Sequence, residues 1–327
     1  MKLSVVIICW NDLRVIRDCL RSIYEGTHAT DFEVIVSDNG SVDDSTEFIR
    51  KHYPEVRIVE NQQNLGFARG NNAGIRLSRG EYVLILNPDT IIHDGALDKL
   101  VEFADRHPEA GAYGCRVLNP DGTYQVSARL FPTVWRYWVS ALGLSRLSSL
   151  FRYEEYPLWS GDTERSIDWQ SGCCVMFRGI LLKNLSGFDE QFFYHFEEVD
   201  LCRRIWKAGR PVLFTPEVVI THLGGQSVNR FPVRFEIEKH RSRYRYFYKH
   251  FGAKAARRCR RLSIVKIRMR QLGYGLLNVL KPDEILQRRL EMYREVVRWN
   301  QAIDPVDFVE RGEEPRLEQT SIPQVSI

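Results

Sequence analysis

The sequence predicts an α/β fold, a doubly wound sheet that is followed by a basic helical extension. Apolar runs rich in β-branched residues alternate with stretches in which apolar residues recur at helical spacing. Strands that alternate with helices pair in parallel through right-handed crossovers. With 44% hydrophobic residues among 327, the chain is long and apolar enough to bury a core of this kind.

The elements of the predicted sheet follow one another through the first 86 residues. Residues 3–9, LSVVIIC, form a continuous apolar run that is typical of a strand buried on both faces. Apolar residues at helical spacing then predict a helix over 12–24. The same alternation predicts the later elements, which are strands at 32–37, 56–60 and 81–86 and helices near 43–52 and 68–79.

Polar residues gather where each predicted strand ends. The groups are Trp10-Asn11-Asp12, DNGS from Asp38 onward, the segment 61–74, and Asn87-Pro88-Asp89. Each group is ordinary turn chemistry by itself. Doubly wound sheets bind ligands at the carboxyl ends of their strands, so four such groups on one edge predict a ligand site. The first strand is not followed by GxGxxG, which counts against a dinucleotide-binding enzyme, and the absence of GxxxxGK[ST] excludes a P-loop NTPase.

The net charge of +4 conceals a strong division along the chain. Residues 230–300 hold 20 Lys and Arg against 6 Asp and Glu, whereas residues 301–327 hold 2 against 6. This break predicts a domain boundary near Asn229, which separates residues 1–229 from the basic extension. The acidic tail contains prolines and little periodicity, and we expect it to be disordered.

The seven cysteines include no CxxC pair and lie mostly among apolar neighbours. That usage predicts reduced thiols in a cytoplasmic-type compartment. No run approaches 18 apolar residues, so we expect no transmembrane helix. The N-terminal MKLSVVIICWND has too short an apolar core and no cleavage site for a signal peptide.

A set of motifs between about residues 3 and 250 resembles the family 2 glycosyltransferases with the GT-A fold. The motifs are SVVIICWN, VSDNGSVD, NLGFARGNNAG, LNPDT, DWQSGCCVMFR, GFDEQFFYHFEEVDLCRR and THLGG. Each is weak alone, but their combination and order are specific, and they look most like the bacterial rhamnosyltransferase branch. The resemblance implies a doubly wound mixed sheet of the GT-A type. It also implies a catalytic domain at 1–229, with a donor half at about 1–120 and an acceptor half at about 121–229.

The resemblance also implies the reaction. It predicts inverting transfer of a sugar from a nucleoside-diphosphate donor to a lipid-linked or polysaccharide acceptor. The donor that fits this branch is dTDP-rhamnose, with UDP-hexoses as the alternative. A competing interpretation from another class is a GT-A binding module that has lost catalysis.

Donor-binding roles carry over from the matching motifs. Asp38 matches the position that holds the nucleobase or ribose, although it could instead open an Asx-turn. Arg69 could neutralise a phosphate or be a solvated helix charge. The full predicted donor-binding set is Asn11, Asp38, Asn64, Gly66, Arg69, Asn72 and Asn87.

A divalent cation, Mg²⁺ or Mn²⁺, is the cofactor that the resemblance implies. Family members carry a DxD-like motif where this chain has Asn87-Pro88-Asp89, so only Asp89 supplies a carboxylate. Mg²⁺ commonly binds through one or two carboxylates together with phosphates and waters. His222 in THLGG matches a residue that completes this site in relatives, whereas a lone His is otherwise more often structural.

Three carboxylates within four residues, Glu197, Glu198 and Asp200, form the strongest chemical signal. Such groups repel one another and raise their own pKa values. They could also be the acidic first turn of a helix. Relatives place the general base at the second acid, which is Glu198 here, with Asp200 as the alternative base or a supporting residue.

The segment 168–178 matches the acceptor side of the family. Trp169 suits a platform on which a sugar stacks, and Gly172 suits a close backbone approach. Glu197 completes the predicted acceptor set, while the adjacent Cys173 and Cys174 are predicted to be buried thiols.

Residues 239–281 contain 14 Lys and Arg and no Asp or Glu, with aromatic residues interleaved. Nucleic acid, a membrane surface and a solvated helix are all compatible with such a stretch. The apolar and aromatic segment 131–151 also has the composition of an interaction surface. Together the two segments favour a membrane over nucleic acid as the partner. We therefore expect a peripheral protein at the inner face of the cytoplasmic membrane.

Overall fold

A computed structural model describes residues 1–141, 156, 159–224 and 232–313. The chain forms two compact units. Unit 1 consists of Met1–Phe131, Trp159–Phe193 and Glu197–Gln226, and unit 2 of Pro132–Leu158, Tyr194–Phe196 and Ser227–Ile327. The chain passes from unit 1 to unit 2 for the last time between Gln226 and Ser227, close to the predicted boundary at Asn229. That residues 132–158 group with the C-terminal part was not predicted.

Unit 1 is a mixed α/β unit whose elements follow the predicted alternation. Its strands are β1 (Leu3–Cys9), β2 (Phe32–Asp38), β3 (Arg57–Glu60), β4 (Tyr82–Leu86), β5 (Thr90–Ile92), β6 (Ala112–Leu118), β7 (Tyr124–Gln125), β8 (Ala128–Arg129), β9 (Arg165–Ile167), β10 (Trp169–Gln170), β11 (Cys174–Arg178) and β12 (Val212–His222). Its helices are α1 (Leu13–Gly26), α2 (Ser45–His52), α3 (Gly66–Leu77), α4 (Ala96–Arg106), α6 (Gly179–Asn184) and α7 (Glu197–Lys207).

The described strands form a ten-stranded sheet in the order β3-β2-β1-β4-β11-β6-β12-β5, with β7 on β6 and β9 on β12. Strands β1 to β4 pair in parallel, as predicted. Strand β11 is antiparallel to both β4 and β6, and β12 is parallel to β6. The carboxyl ends of β1, β2, β4 and β12 consequently lie along one edge. The predicted fold class is confirmed, including its mixed sheet.

The core of unit 1 lies on both faces of this sheet. Six of the seven residues of β1 are fully buried, which explains its continuous apolar sequence. Helix α1 packs its apolar stripe, Ile16, Cys19, Leu20 and Ile23, into the same core. The stripe at helical spacing is thus the reason that α1 docks on the sheet.

The described residues of unit 2 are mostly helical. Its helices are α5 (Val134–Ala141), α8 (Pro232–Phe251), α9 (Ala253–Leu280), α10 (Glu284–Ala302) and α11 (Pro305–Arg311). Tyr244, Tyr246 and Phe247 of α8 are fully buried. These aromatic residues form core rather than the membrane-facing surface that the basic, aromatic sequence led us to expect.

The acidic tail is ordered at its beginning. Asp304 caps α11 by accepting hydrogen bonds from the amides of Val306 and Asp307, and Phe308 is buried. The expectation of disorder is therefore wrong for Pro305–Arg311. Residues 314–327 lie outside the described residues, as do residues 142–151 of the predicted interface segment.

No described helix is both long and apolar enough to cross a membrane. All seven cysteines are buried and free, as predicted. Burial raises the pKa of Cys9, Cys19, Cys173, Cys202 and Cys259 to about 12, because their thiolates would lose solvation.

Candidate active site

The loops after β1 and β2 are tied together at the sheet edge. The Asn11 amide donates to Ser41 Oγ at 2.9 Å, and its side-chain oxygen accepts from the amide of Val42 at 2.7 Å. The Asp38 carboxylate accepts from the amides of Gly40 and Ser41, each at 3.1 Å. Asp38 thus forms the Asx-turn that was one of its two predicted roles. Its role in holding a nucleobase stays a prediction.

The NLG turn before α3 is shaped by a close packing contact. Gly66 has φ +80°, and a Cβ added there would lie 2.6 Å from the Phe193 ring and carbonyl oxygen. Asn64 accepts from the Gly66 amide at 2.9 Å, and the Phe67 amide donates to the Phe193 carbonyl at 2.7 Å. Phe193 therefore makes a close approach to the backbone at Gly66, and the predicted donor-binding role of Gly66 stays a prediction.

Asn72 and Arg69 on α3 face the loop at 188–190. The Asn72 side chain donates to the Phe188 carbonyl at 2.8 Å and accepts from the Phe188 amide at 2.9 Å. Arg69 Nε donates to the Glu190 carbonyl at 3.3 Å and lies 3.8 Å from its carboxylate. Asn72 is buried and both ends of its amide are used, so its predicted contact with the donor is not supported. Arg69 remains half-exposed but has an acidic neighbour.

Backbone pairing brings Asp89 to His222. Strand β5 follows Asp89 directly and pairs with the end of β12, so that Thr90 lies opposite His222. The Leu223 amide donates to the Asp89 carbonyl at 2.9 Å. The Asp89 carboxylate then lies 3.2 Å from His222 Nε2, and both side chains are mostly buried. Asn87 Nδ2 lies 3.4 Å from the same nitrogen.

Gln125 of β7 orients the His222 ring. His222 Nδ1 lies 2.7 Å from Gln125 Oε1, while Gln125 Nε2 donates to Asn119 Oδ1 at 2.8 Å. Because the amide nitrogen of Gln125 is a donor to Asn119, its oxygen must accept, and His222 Nδ1 carries the proton. In its neutral form, the ring would therefore turn the lone pair of Nε2 toward Asp89. Gln125 and Asn119 belong to no recognised motif and were not among the predicted site residues.

The donor set at Asp89 and His222 fits a divalent cation. A carboxylate oxygen and an imidazole lone pair that face each other require a proton or a cation between them, and both are common ligands of such ions. Among the described residues no three His, Cys, Asp or Glu side chains come close enough to form a metal site. Two protein ligands would leave positions for phosphate oxygens and water, as Mg²⁺ prefers.

The three carboxylates of α7 have different environments. Asp200 is fully buried and accepts from Arg204 Nε at 2.8 Å. Arg204 also donates to the carbonyls of Leu185 and Gly187, each at 2.7 Å. Asp200 is therefore engaged in a structural ion pair, which supports the supporting role rather than that of alternative base.

Glu197 and Glu198 form a buried carboxyl pair. Burial, the adjacent charge of Glu198 and a shared hydrogen bond raise the pKa of Glu197 well above its usual value. Glu198 Cβ lies 3.9 Å from the position that a Cβ on Gly172 would take. The next residue, Cys173, accepts a hydrogen bond from the Asn87 amide at 2.9 Å. The predicted base is thus linked through two neighbouring segments to the Asn87-Pro88-Asp89 turn.

Trp169 does not have the environment of a sugar platform. Its side chain is only 6% exposed, and its indole N–H donates to the Leu130 carbonyl at 3.0 Å. Arg129 lies over the ring at 5.7 Å from the centroid. Little ring surface is left for stacking, so the predicted acceptor role of Trp169 is not supported.

Comparisons with known proteins identify the family of the chain. The Glycosyl transferase family 2 model matches residues 4–181, more than half of the chain. The chain is 32% identical over 227 residues to the N-acetylglucosaminyl-diphospho-decaprenol L-rhamnosyltransferase of Mycobacterium tuberculosis, which covers 64% of this chain and 73% of that protein. It is 25% identical over 218 residues to the rhamnosyltransferase WbbL of Escherichia coli, which covers 63% and 78%.

Two solved structures share the fold. The mannosyltransferase PcManGT from Pyrobaculum calidifontis, in complex with GDP-Man and Mn²⁺, has a TM-score of 0.55 at 16% identity, covering 96% of this chain and 88% of that one. TarS 1–349 of S. aureus in complex with UDP-GlcNAc has a TM-score of 0.51 at 16% identity, covering 94% and 90%. The fold is that of the GT-A glycosyltransferases. The chain belongs to glycosyltransferase family 2, and its likeness to the rhamnosyltransferase branch is confirmed.

Gln125→Ala should weaken cation binding without unfolding the protein, because His222 would lose the partner that fixes its tautomer. Loss of such an orienting partner typically costs 10–100-fold in metal affinity, and we expect about that loss here. Mn²⁺ titration followed by electron paramagnetic resonance, with UDP or dTDP present, measures it directly. Gln287→Ala, on the exposed face of α10, is the control. Unchanged Mn²⁺ affinity in Gln125→Ala would show that Gln125 does not orient the ligand.

Glu197→Gln should stabilise the protein at neutral pH. The folded-state pKa of Glu197 is raised, so the unfolded chain loses this proton first, at about pH 4.3, and stability falls as pH rises above that value. Glutamine has no proton to lose. We expect Glu197→Gln to exceed the parent in stability at pH 7 and to match it near pH 4. Urea unfolding at several pH values tests this, with exposed Glu102→Gln as control. A difference that did not depend on pH would contradict it.

Proposed function

We propose that the protein is an inverting, divalent-cation-dependent glycosyltransferase that transfers rhamnose from dTDP-rhamnose to a lipid-linked acceptor. The observation that carries the proposal is the pairing of Asp89 with an oriented His222, next to the segment that borders the buried Glu197–Glu198 pair. The first group suits the diphosphate of a donor, and the second suits an acceptor hydroxyl. Their proximity is what sugar transfer requires.

The residues divide the chemistry between them. Asp89 and His222 Nε2 would hold the cation, which supplies Lewis-acid stabilisation of the departing nucleoside diphosphate. The raised pKa of Glu197 favours its protonated form, which would leave Glu198 to carry the negative charge of the pair. Glu198 then accepts the proton of the acceptor hydroxyl as that oxygen attacks the sugar carbon. One base and one leaving group on opposite sides of that carbon give inversion by a single displacement.

The donor proposal rests on the relatives. The two curated relatives described above are named as rhamnosyltransferases, one of them with a diphospho-decaprenol acceptor. UDP-hexoses are the alternative. Purified protein should be given dTDP-rhamnose, UDP-glucose, UDP-GlcNAc and GDP-mannose with Mg²⁺ or Mn²⁺, and the products identified by mass spectrometry. Turnover of dTDP-rhamnose alone would support the proposal. Turnover of a UDP-hexose alone would identify that nucleotide sugar as the donor instead. If none of the nucleotide sugars were turned over in the presence of a cation, the interpretation as a binding module without catalysis would be favoured.

A lipid-linked acceptor also implies a place of action. Nucleotide sugars are made in the cytoplasm, and a lipid-linked acceptor keeps its lipid in the bilayer. The enzyme would therefore work as a peripheral protein on the inner face of the cytoplasmic membrane. Nucleic acid has no part in this reaction.

Asp89→Asn should abolish cation-dependent donor binding while the fold stays intact, because the amide is neutral and a poor cation ligand. His222→Ala should give a smaller loss of the same kind, since water can replace one neutral ligand. Calorimetric titration of the donor, with and without Mn²⁺, measures both. Asp94→Asn, which changes an exposed carboxylate five positions along the chain, is the matched control. Wild-type metal dependence in Asp89→Asn would remove Asp89 from the site.

Glu198→Gln should lower turnover by about 10²–10⁴ while donor affinity hardly changes, because the amide cannot accept the proton. Asp200→Asn should instead lower stability by about 2 kcal/mol, through a weaker bond to Arg204, and affect turnover less. Steady-state kinetics, donor titration and urea unfolding on both variants separate these effects. An inactive but stable Asp200→Asn enzyme beside an active Glu198→Gln enzyme would reverse the assignment.

A further inference from the structure

The outward side of α9 carries a continuous stripe of residues at helical spacing. Its first half is basic and its second half is apolar, with one arginine, Arg268, among the apolar positions. We call this stripe the docking face. Its members are Lys254, Arg258, Arg261, Val265, Arg268, Met269, Leu272, Leu276, Val279 and Leu280.

The basic residues of α9 fall into two groups. Those turned toward the rest of unit 2 have partners there, such as Arg257 with Asp304 and Lys266 with Ser140. Those of the docking face are exposed and make no hydrogen bond or ion pair with any described residue. Helix α9 contains no Asp or Glu that would neutralise them. The docking face therefore presents uncompensated positive charge, which fits an anionic partner.

The apolar half of the docking face is unusually open to solvent. Leu272 is 69% exposed, Leu276 68%, Val279 80% and Leu280 83%. Large apolar side chains that follow one another on a surface mark an interaction site rather than chance exposure. A groove beside them, between α9 and α10, is lined by Leu272, Leu276, Val279 and Leu290 and by two further arginines, Arg294 and Arg298.

Two tryptophans extend the docking face beside its basic half. Trp135 and Trp138 of α5 stack with ring centroids 5.1 Å apart and are 65% and 39% exposed. They line an apolar groove together with Arg258 and Arg261. Exposed indole rings next to arginines are typical of the headgroup level of a bilayer, where the ring is half apolar and half polar.

The order of charge along the docking face discriminates between partners. An antiparallel second copy would set the arginines against leucines, and a parallel one would set arginine against arginine. Nucleic acid would meet the basic half but leave the leucines in water. A bilayer with anionic lipids meets both halves, because basic residues bind its headgroups while apolar side chains enter its acyl boundary.

We propose that the docking face and the Trp135–Trp138 pair bind the surface of a bilayer that contains anionic phospholipid. The inference deepens the proposed function and rests on it for the acceptor, which would be presented from the same bilayer. It assigns membrane binding to the outward side of α9 rather than to the whole basic segment. The buried aromatic residues of α8 take no part.

Vesicle flotation with the full chain tests the proposal. We expect the protein to float with vesicles of phosphatidylglycerol and phosphatidylcholine at 1:1, and not with phosphatidylcholine alone. Binding should fall in 0.5 M NaCl, since salt screens exposed charges. Lipids brominated near the headgroup should quench tryptophan fluorescence of the wild type, and less so that of Trp135→Phe with Trp138→Phe.

Two sets of substitutions separate the halves of the docking face. Arg258→Gln with Arg261→Gln should weaken vesicle binding about 30-fold, because each basic residue at an anionic surface contributes about fivefold. Leu272→Gln, Leu276→Gln and Val279→Gln together should weaken it about tenfold or more. The charge-matched control is Lys51→Gln with Lys99→Gln, two exposed lysines of unit 1. All of these positions are exposed, so the variants should unfold at the parental urea concentration.

Other outcomes overturn the proposal. If both variants bound vesicles as tightly as the parent protein, the docking face would be excluded as the membrane-binding surface. A dimer in analytical ultracentrifugation that the triple variant abolishes would assign this face to a second copy, and tighter binding to an RNA oligonucleotide than to vesicles would assign it to nucleic acid. Transfer to a water-soluble acceptor separates this proposal from the proposed function. Variants that no longer bind vesicles should still transfer the sugar to the water-soluble acceptor. A wild-type protein that binds vesicles but transfers no sugar would contradict only the proposed function.

Discussion

The backbone pairing of β5 with β12 is the constraint on which the candidate site depends. It brings together Asp89 and His222, which lie far apart in sequence, and it does so through main-chain bonds rather than side-chain affinity. A slip of one residue would turn His222 to the other face of the sheet. The register is set upstream, where β12 bulges between Thr215 and Val219 while it pairs with consecutive residues of β6. Such bulges commonly re-aim a side chain next to an active site.

The acidic start of α7 shows how one sequence cluster can serve two purposes. Asp200 is neutralised by Arg204, which is also bound to two carbonyls, so this part of the cluster anchors the helix. Glu197 and Glu198 form a carboxyl pair in a buried environment, which is costly for the fold. A carboxyl pair that destabilises its own surroundings is expected where a proton must be held or moved.

Local patterns made the fold of unit 1 predictable. Buried parallel strands read as apolar runs and docked helices as stripes, so β1 to β4 and α1 to α3 could be placed within a few residues. His222 could be singled out only through its motif. Gln125 could not be found, because β7 has two residues and its role exists only after β6, β7 and β12 have come together.

The predictions that the structure does not support also have physical explanations. Asn72 and Trp169 stand in matching motifs, yet tertiary contacts use their polar groups and bury them. In α8 the alternation of arginines with aromatic residues hid a core. The arginines cover buried rings with their guanidinium groups, as Arg243 does over Tyr137 and Arg245 over Phe308. A count of charges along the sequence cannot distinguish that arrangement from an exposed basic surface.

The buried cysteines have a consequence for reactivity. The thiolate is the form that attacks alkylating agents and is oxidised, and with a pKa of about 12 for Cys9, Cys19, Cys173, Cys202 and Cys259 only about one such thiol in 10⁵ is ionised at pH 7. Because the other two cysteines, Cys115 and Cys174, are buried as well, we expect the folded chain to react slowly with thiol reagents. A single cysteine introduced on the surface would be the dominant reactive thiol, so probes could be attached at a chosen position without first removing the native ones.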